Sequence, residues 1–299
     1  MSEKAELFLT APDVLDAKAK EAGSAKAAVA AGLVSRTAAD AEAAVAEARK
    51  LLAFLPANNL AAAPIAEFEE PVSAEGDVRT VLGGIVDAGS FVELSAGYAS
   101  SVMTGFATME GASVGIVAAL DKLDSAGASK ASRFVRICDS FNLPIISLLD
   151  TPGFTNNAAA ELAGLAKDAA KLTHAYAEAT CPKLSVVCGK GIGPVFIAMA
   201  GRAAGADMTL ALPGAEICPL SVEAAAIILH KDEITVENRE QIIADYRAQK
   251  ASASAAASAG LVDAVVQASE LRSTLLSALS ALTSKRVARL PKKQGNIQL

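Results

Sequence analysis

Short, mostly apolar runs alternate with helix-like segments in the second half of the chain, and this alternation constrains the fold more than any other feature. The uncharged runs cover residues 143–149, 184–187 and 209–212. Such runs are typical of strands buried on both faces of a sheet. The helix-like segments cover residues 130–141, 157–180, 195–205 and 221–229. Strand–helix alternation with buried strands predicts an α/β fold.

The first quarter of the chain has a different character. An Ala-rich stretch with interspersed Glu and Lys, residues 12–55, predicts helix that ends at Pro56. The polar, Pro-containing stretch from Asn58 to Pro71 predicts a linker. We therefore expect a helical leader and linker over residues 1–75 and one folded domain over residues 76–299.

Composition and charge exclude several classes of function. Lys and Arg number 27, Asp and Glu number 33, and Trp is absent, so nucleic acid is not an expected partner. Mean hydropathy is +0.36, yet no uncharged apolar stretch reaches the length of about 18 residues that a membrane helix needs. The N-terminus does not resemble a signal peptide, and the four cysteines form no Cys-x-x-Cys pair, so we expect no metal site and a cytoplasmic location.

Two glycine-bearing turns follow the first two apolar runs. The first is Asp150-Thr151-Pro152-Gly153-Phe154, and the second is Gly189-Lys190-Gly191-Ile192-Gly193-Pro194. A glycine turn before a helix can present backbone N–H groups to a phosphate or an oxyanion. Glycines in this position can equally serve only to permit a tight turn. The residues alone leave both interpretations open.

Nucleotide binding and side-chain nucleophiles receive little support. The first turn has the Asp-x-x-Gly pattern of a GTPase switch, but no upstream phosphate loop exists, and the second lacks the spacing of a dinucleotide fingerprint. The two histidines, His174 and His230, belong to no visible triad. The scarcity of catalytic side chains fits a reaction assisted by backbone amides, with the reactive groups supplied by cofactor and substrate, better than it fits a side-chain nucleophile.

A series of motifs resembles the carboxyl-terminal half of acyl-CoA carboxylase carboxyltransferase β chains, of the propionyl-CoA carboxylase β and methylmalonyl-CoA decarboxylase α type. The motifs cover residues 130–144, 150–154, 175–180, 197–199, 205–207, 215–217, 260–263 and 292–297. The resemblance extends over residues 41–299. It implies a crotonase-like ββα spiral, present here as a single carboxyltransferase C-terminal-type domain behind an N-terminal helical segment.

The resemblance also implies cofactors and partners. In the family, the first half of the β chain binds the acyl-CoA thioester, and the second half of a neighbouring protomer binds biotin. This chain resembles only the second half, so the implied partners are a separate chain carrying the acyl-CoA half and a biotin carrier protein. A homo- or hetero-oligomer is implied, and the decarboxylase type adds a membrane decarboxylase partner.

The family pattern assigns site residues by position. Its biotin-side oxyanion hole lies in an Ala-Tyr-Gly-Gly-Ala-Tyr turn, which corresponds to residues 191–196, so the two donor positions fall on Pro194 and Val195. Proline has no N–H, which leaves Val195 as the backbone donor, with Gly193 or a neighbouring amide in support. The resemblance further implies biotin contacts from the residues of both turns, namely Thr151, Pro152, Gly153, Phe154, Pro194 and Ile197. Gly189 and Ser221 are further departures, since the family has Arg and Gly there.

Three functions remain open at this point. The leading hypothesis is the biotin-site half-subunit of a split carboxyltransferase, inactive without its partner chain, which moves a carboxyl group between carboxybiotin and a short acyl-CoA in the carboxylase or decarboxylase direction. The alternative, motivated by Pro194, is a scaffold or regulatory paralogue that has lost the chemistry. A third hypothesis is a crotonase-like thioester enzyme that acts alone with Asp150 as its acidic group.

Overall fold

The computed structural model describes residues 1–15, 21–73 and 75–287, and it confirms the expected α/β fold. The strands are β1 (Val92–Leu94), β2 (Val102–Met109), β3 (Ala112–Ala119), β4 (Ile145–Thr151), β5 (Lys183–Ile192), β6 (Met208–Ala211), β7 (Glu216–Cys218) and β8 (Ala264–Val265). The helices are α1 (Ala25–Ala30), α2 (Ala41–Leu52), α3 (Val78–Ile85), α4 (Ser125–Ser140), α5 (Ala158–Leu162), α6 (Leu165–Glu178), α7 (Pro194–Ala200), α8 (Val222–Leu229), α9 (Arg239–Tyr246), α10 (Ala253–Ser258) and α11 (Ala268–Leu282). Short 3-10 turns cover Pro12–Val14 and Arg202–Ala204, and a π-helical turn covers Arg247–Ala251.

All eight strands belong to one mixed sheet. Its order is β1-β2-β3-β4-β5-β6-β8, and β7 pairs with the far end of β5. The first three strands are antiparallel, and the pairs from β3 onward are parallel. Because parallel strands run in one direction, the residues that follow β3, β4 and β5 meet at one edge of the sheet.

Helices cover both faces of the sheet, as the continuous apolar runs predict. Ile146 and Leu148 of β4 pack in a cluster with residues of α3 and α11 on one face. Their neighbours Ile145 and Leu149 pack in a second cluster with residues of α4, α6 and α7 on the other face. Successive side chains of a strand point to opposite faces of the sheet. A strand covered by helices on both faces is therefore apolar at successive positions.

The prediction of one continuous helix through the leader is wrong. Helix α1 ends early because Gly32 adopts φ +71° and the Leu33 N–H bonds the Ala28 carbonyl, which is the Schellman arrangement that terminates helices. The leader also contacts the body of the protein: the Ser95 N–H donates to the Ser35 carbonyl at 2.8 Å, and Arg36 donates to the Glu93 carbonyl at 2.9 Å.

Glycine also divides the long helix predicted over residues 157–180. Gly164 adopts φ +84°, and the chain therefore forms α5 and α6 instead of one helix. The motif at residues 292–297 lies outside the described residues. In the part of the chain that the structure describes, no helix is both long and apolar enough to cross a bilayer.

Candidate functional site

The two glycine-bearing turns lie side by side at the carboxyl edge of the sheet. Thr151, the last residue of β4, is opposite Gly191 of β5 in the ladder. Two residues further on, a Cβ added to Gly153 would lie 3.3 Å from the Ile192 carbonyl oxygen. The absence of a side chain at Gly153 therefore lets the first turn pack closely against the second.

The first turn is held by the Thr151 hydroxyl and by hydrogen bonds to the loop that follows β3. The fully buried Thr151 hydroxyl donates to the Asp121 carbonyl at 2.8 Å and accepts the Gly153 N–H at 3.1 Å. The Gly153 carbonyl accepts the Leu123 N–H at 3.0 Å. Thr151 thus supports the turn through its hydroxyl, and its contact with biotin stays a prediction.

The second turn is shorter than the sequence indicates. Gly189 and Gly191 are still part of β5, because residues 190–192 pair with β7. Only Gly193 turns the chain, with φ +67° and ψ −151°, and α7 begins at the next residue. Essentially only glycine adopts this region of backbone conformation.

Three successive residues of the second turn differ in what their amides can do. The Gly193 N–H donates to the Cys218 carbonyl at 2.8 Å, so this predicted supporting donor is already engaged. Pro194 has no N–H. Val195 is fully buried, and its N–H bonds no acceptor among the described residues. Buried amides without a partner are rare in folded proteins, so the Val195 N–H is the donor of this turn whose hydrogen bond is unaccounted for among the described residues.

The first turn offers a comparable amide at Phe154. Its neighbours are engaged, since the Thr155 N–H donates to the Leu123 carbonyl at 2.8 Å and the Leu123 N–H bonds Gly153. The N–H of half-buried Phe154 itself makes no hydrogen bond within the described ranges. From the sequence, Phe154 is expected among the biotin contacts but not as a donor, because residue type does not reveal which backbone amides lack an acceptor.

Apolar side chains flank these two amides along the chain. Pro152 and Pro194 are exposed, Phe154 is half-buried, and Ile197 is 54% exposed. Ile197 follows Pro194 by less than one helical turn, and exposed apolar side chains of this kind are suited to the hydrocarbon part of a ligand.

Asp150 explains why residue 189 is glycine. The Asp150 Oδ1 atom accepts the Lys190 N–H at 2.8 Å, and a Cβ added to Gly189 would collide with that same oxygen. Any side chain at position 189, including the family's arginine, therefore requires Asp150 to move.

The titratable side chains around the turns do not supply a nucleophile. Burial, reinforced by the charge of Asp150, raises the pKa of Cys188 to about 12, which keeps the thiol protonated at neutral pH. His174 bonds Glu178 at 2.9 Å and His230 bonds Glu233 at 3.1 Å. Backbone amides are therefore the donors that the two turns can offer to a ligand oxygen.

A cavity lies at the opposite end of the strands from the two glycine turns. Its volume is about 860 Å³, and it is lined by residues that precede β4 and β5, including Pro144 and Pro182, and by Lys285 after α11. The glycine turns are not part of it.

The fold and the paired turns define a crotonase-like protein, the class that the resemblance implies. The chain belongs to the carboxyl transferase family, since residues 1–297 match the family described as Carboxyl transferase domain. It is 38% identical, over 99% of its length, to the methylmalonyl-CoA carboxyltransferase 12S subunit of Propionibacterium freudenreichii subsp. shermanii, and 35% identical, over 98%, to the methylmalonyl-CoA decarboxylase subunit alpha of Veillonella parvula. It spans 62% of each of these relatives.

A solved structure shares the architecture closely. The transcarboxylase 12S structure, described as a hexamer with methylmalonyl-coenzyme A and methylmalonic acid bound, superposes with a TM-score of 0.94 at 37% identity. The match covers 100% of this chain and 63% of that one. The crotonase-like fold expected from the resemblance is thereby confirmed.

Proposed function

We propose that this chain is the biotin-site half of a split carboxyltransferase, which moves a carboxyl group between carboxybiotin, attached to a separate carrier protein, and a short acyl-CoA. The observation that carries the proposal is the buried Val195 N–H, which has no acceptor in the described part of the protein. Relatives named for methylmalonyl-CoA carboxyl transfer and methylmalonyl-CoA decarboxylation support the reaction class and leave both directions open.

The Val195 amide is suited to a developing oxyanion. Biotin, when bound, would supply a ureido ring that carries the carboxyl group and whose oxygen gains negative charge when that group leaves. An N–H donor held at that oxygen stabilises the transition state, and removal of one such donor typically costs about 2.7–4 kcal/mol. The donor needs no side chain, so the stabilisation does not depend on a protonated Cys188 thiol.

Phe154 provides the second donor that Pro194 does not. Its N–H has no acceptor among the described residues, and the two turns approach closely where Gly153 faces the Ile192 carbonyl. In this proposal one amide from each turn faces the ligand, in place of two amides from one turn.

The apolar residues around the amides would hold the ring and exclude water. Pro152, Phe154, Pro194 and Ile197 supply hydrocarbon surface at the mouth of the turns. Exclusion of water strengthens the hydrogen bonds to a charged oxygen and protects a reactive carboxyl group from hydrolysis. Gly193 serves by its conformation, since its own N–H is engaged with Cys218.

The acyl-CoA would be bound by a separate chain, and transfer would require both chains. Large apolar side chains are exposed on the helices that follow the turns, including Leu162 at 90% and Leu229 at 67%. Exposed apolar surface of this kind is typical of contact with another subunit. We therefore propose a hetero-oligomer of this chain with the acyl-CoA chain, and with a biotin carrier that visits the site.

A scaffold or regulatory function is the second candidate, and the amide inventory favours it specifically. Pro194 has no donor, the Gly193 donor is engaged, and Val195 is fully buried, so a ligand oxygen reaches its N–H only after neighbouring groups give way. A paralogue that keeps the fold and the assembly surface without transferring carboxyl groups would show the same features.

Purification of the native complex separates these functions. Under the proposal, a streptavidin-reactive chain and an acyl-CoA-binding chain co-purify in fixed ratio, and the complex transfers labelled carboxyl groups between biotin and a short acyl-CoA. The chain alone transfers none. Co-purification without transfer for any short acyl-CoA would establish the scaffold function, and transfer that does not require biotin would exclude both candidates.

A further inference from the structure

The Gly193 turn rests on a small apolar cluster that is separate from the two main clusters of the protein. Its buried members are Ile192, Cys218, Val222, Ala225 and Ala251, with Ile243 and Tyr246 packed against them. Ile192 immediately precedes the turn, and the remaining members come from β7, α8 and the segment from α9 to the π-helical turn. The turn is therefore supported from below by residues 239–251.

Arg247 holds both sides of the loop that carries Cys218. Its Nε lies 2.6 Å from Glu216 Oε1 on β7, and its Nη2 lies 3.0 Å from Glu223 Oε1 in the first turn of α8. The loop between these two glutamates contains Pro219, whose carbonyl oxygen would lie 3.4 Å from a Cβ at Gly193. One guanidinium thus forms an ion pair with the strand before the loop and a hydrogen-bonded ion pair with the helix after it.

Tyr246 contacts the same loop through Cys218. The Tyr246 hydroxyl lies 3.6 Å from Cys218 Sγ, and the Cys218 carbonyl accepts the Gly193 N–H at 2.8 Å. Burial, together with the neighbouring Cys218, raises the pKa of Tyr246 to about 12, so the hydroxyl keeps its proton at neutral pH.

Tyr246 ends α9, and Arg247 begins the π-helical turn that follows it. Arg247–Ala251 is wound with one extra residue per turn, and single π turns within α-helices are frequent at functional sites. Ala251 at its end is fully buried in the cluster, and Ser252 pairs with Glu216 by a β-bridge.

We propose that Arg247 and Tyr246 are positioning residues for the Gly193–Val195 turn. They fix β7 and its loop, the Cys218 carbonyl then fixes the Gly193 N–H, and the orientation of the Val195 N–H follows. The proposal rests on the proposed function only where activity is measured, because the mobility of the turn can be measured in the chain alone.

Amide hydrogen exchange of the full chain tests the proposal without any partner. Arg247→Met keeps the length of the side chain and removes both ion pairs, and we expect exchange in the peptide over residues 189–196 to rise about fivefold. Arg247→Lys, which keeps one charge, restores part of the protection. Arg239→Met, a change at an exposed arginine on the same helix, leaves this peptide unchanged.

Kinetics of the assembled complex give the second readout. Loss of positioning lowers kcat for carboxyl transfer and leaves the KM for acyl-CoA unchanged, because the acyl-CoA is bound by the partner. Tyr246→Phe, which removes only the hydroxyl, lowers kcat in the same direction to a smaller extent. Unchanged exchange over residues 189–196 in Arg247→Met overturns the proposal. A third outcome separates the two proposals. If exchange rises in Arg247→Met but the wild-type complex transfers no carboxyl groups, the positioning role stands and the proposed function is rejected.

Discussion

The two glycine turns at the carboxyl edge look alike in sequence, yet they are held in different ways. Thr151 supports the first turn from two residues away, through a hydroxyl that bonds both Gly153 and the loop after β3. The second turn is held by the carbonyl of Cys218, which lies 25 residues after Gly193 in the sequence. Arg247 in turn contacts β7, the strand that contains Cys218. Each turn leaves one amide free, at Phe154 and at Val195. In the proposed function, the two donors come from two turns because one of the turns contains proline.

Gly193→Ala is expected to have the largest effect, because it breaks the second turn and spares the first. Its φ of +67° and ψ of −151° are strained for alanine, at a cost of about 1–3 kcal/mol. Relief of that strain displaces Val195, and we expect kcat for carboxyl transfer to fall about 100-fold, the effect of one lost donor. Steady-state assay of the complex measures it. Gly164→Ala, at another positive φ with open space around it, is the matched control and should leave transfer unchanged.

Thr151→Val breaks the first turn and should destabilise the protein. The substitution leaves the Asp121 carbonyl and the Gly153 N–H without their partner, so the free energy of unfolding should fall by about 1–3 kcal/mol. Transfer should slow as well, since Phe154 follows this turn, and Thr151→Ser should restore both properties. Thr209→Val removes an equally buried hydroxyl that bonds the Ala200 carbonyl and should affect stability alone. Equal slowing of transfer in Thr209→Val would contradict a special role for the first turn.

Pro194→Gly tests whether the second turn needs a donor of its own. If Phe154 supplies the second donor, the N–H added at position 194 contributes little, and kcat for carboxyl transfer should change by no more than about threefold. Loss of a donor, by comparison, typically lowers kcat by a factor of about 10²–10³. The free energy of unfolding should fall by about 0.4–1 kcal/mol because glycine gives the unfolded chain more freedom. Pro213→Gly, at an exposed loop position, provides the same change away from the turns. A tenfold gain specific to position 194 would favour the degenerate scaffold instead.

Alkylation of Cys188 is the smallest and most local test, because this thiol lies on β5 next to Asp150. Burial and the Asp150 charge raise the pKa of Cys188 to about 12, so iodoacetamide at pH 8 should modify it far more slowly than a free thiol. Asp150→Asn removes the negative charge and thus lowers the pKa, and modification should accelerate by about threefold. Cys188→Ser identifies the modified peptide. Wild-type modification at the rate of a free thiol would show that β5 is open here.

The apolar pattern predicts the central sheet well and the ends of its elements poorly. The runs at 143–149 and 184–187 became β4 and β5 because burial on both faces requires continuous apolar sequence. The extension of β5 through Gly189 and Gly191 could not be predicted, since it depends on pairing with β7, a strand of only three residues. Gly164 and Gly32 end helices within Ala-rich sequence, where helix propensity alone favours continuation.

The candidate site also has features that the sequence could predict and features that it could not. Family resemblance predicted Val195 as a donor, which stays a prediction, and the chemistry of proline excludes a donor at Pro194. The engagement of the Gly193 N–H, the free Phe154 N–H and the support from Arg247 depend on tertiary contacts. No residue type or spacing encodes a hydrogen bond between Gly193 and the carbonyl of Cys218, so the structure was needed to find it.

The most direct test of the central claim is a titration of the ¹⁵N-labelled chain with biocytin, followed by amide NMR. The account predicts saturable shifts of the Val195 and Phe154 amides, while residues that line the cavity at the opposite end of the strands, such as Asn142 and Thr180, stay unchanged. Shifts confined to that cavity, or no shift at Val195 and Phe154 at biocytin concentrations that saturate transfer by the complex, would contradict a biotin site at these turns.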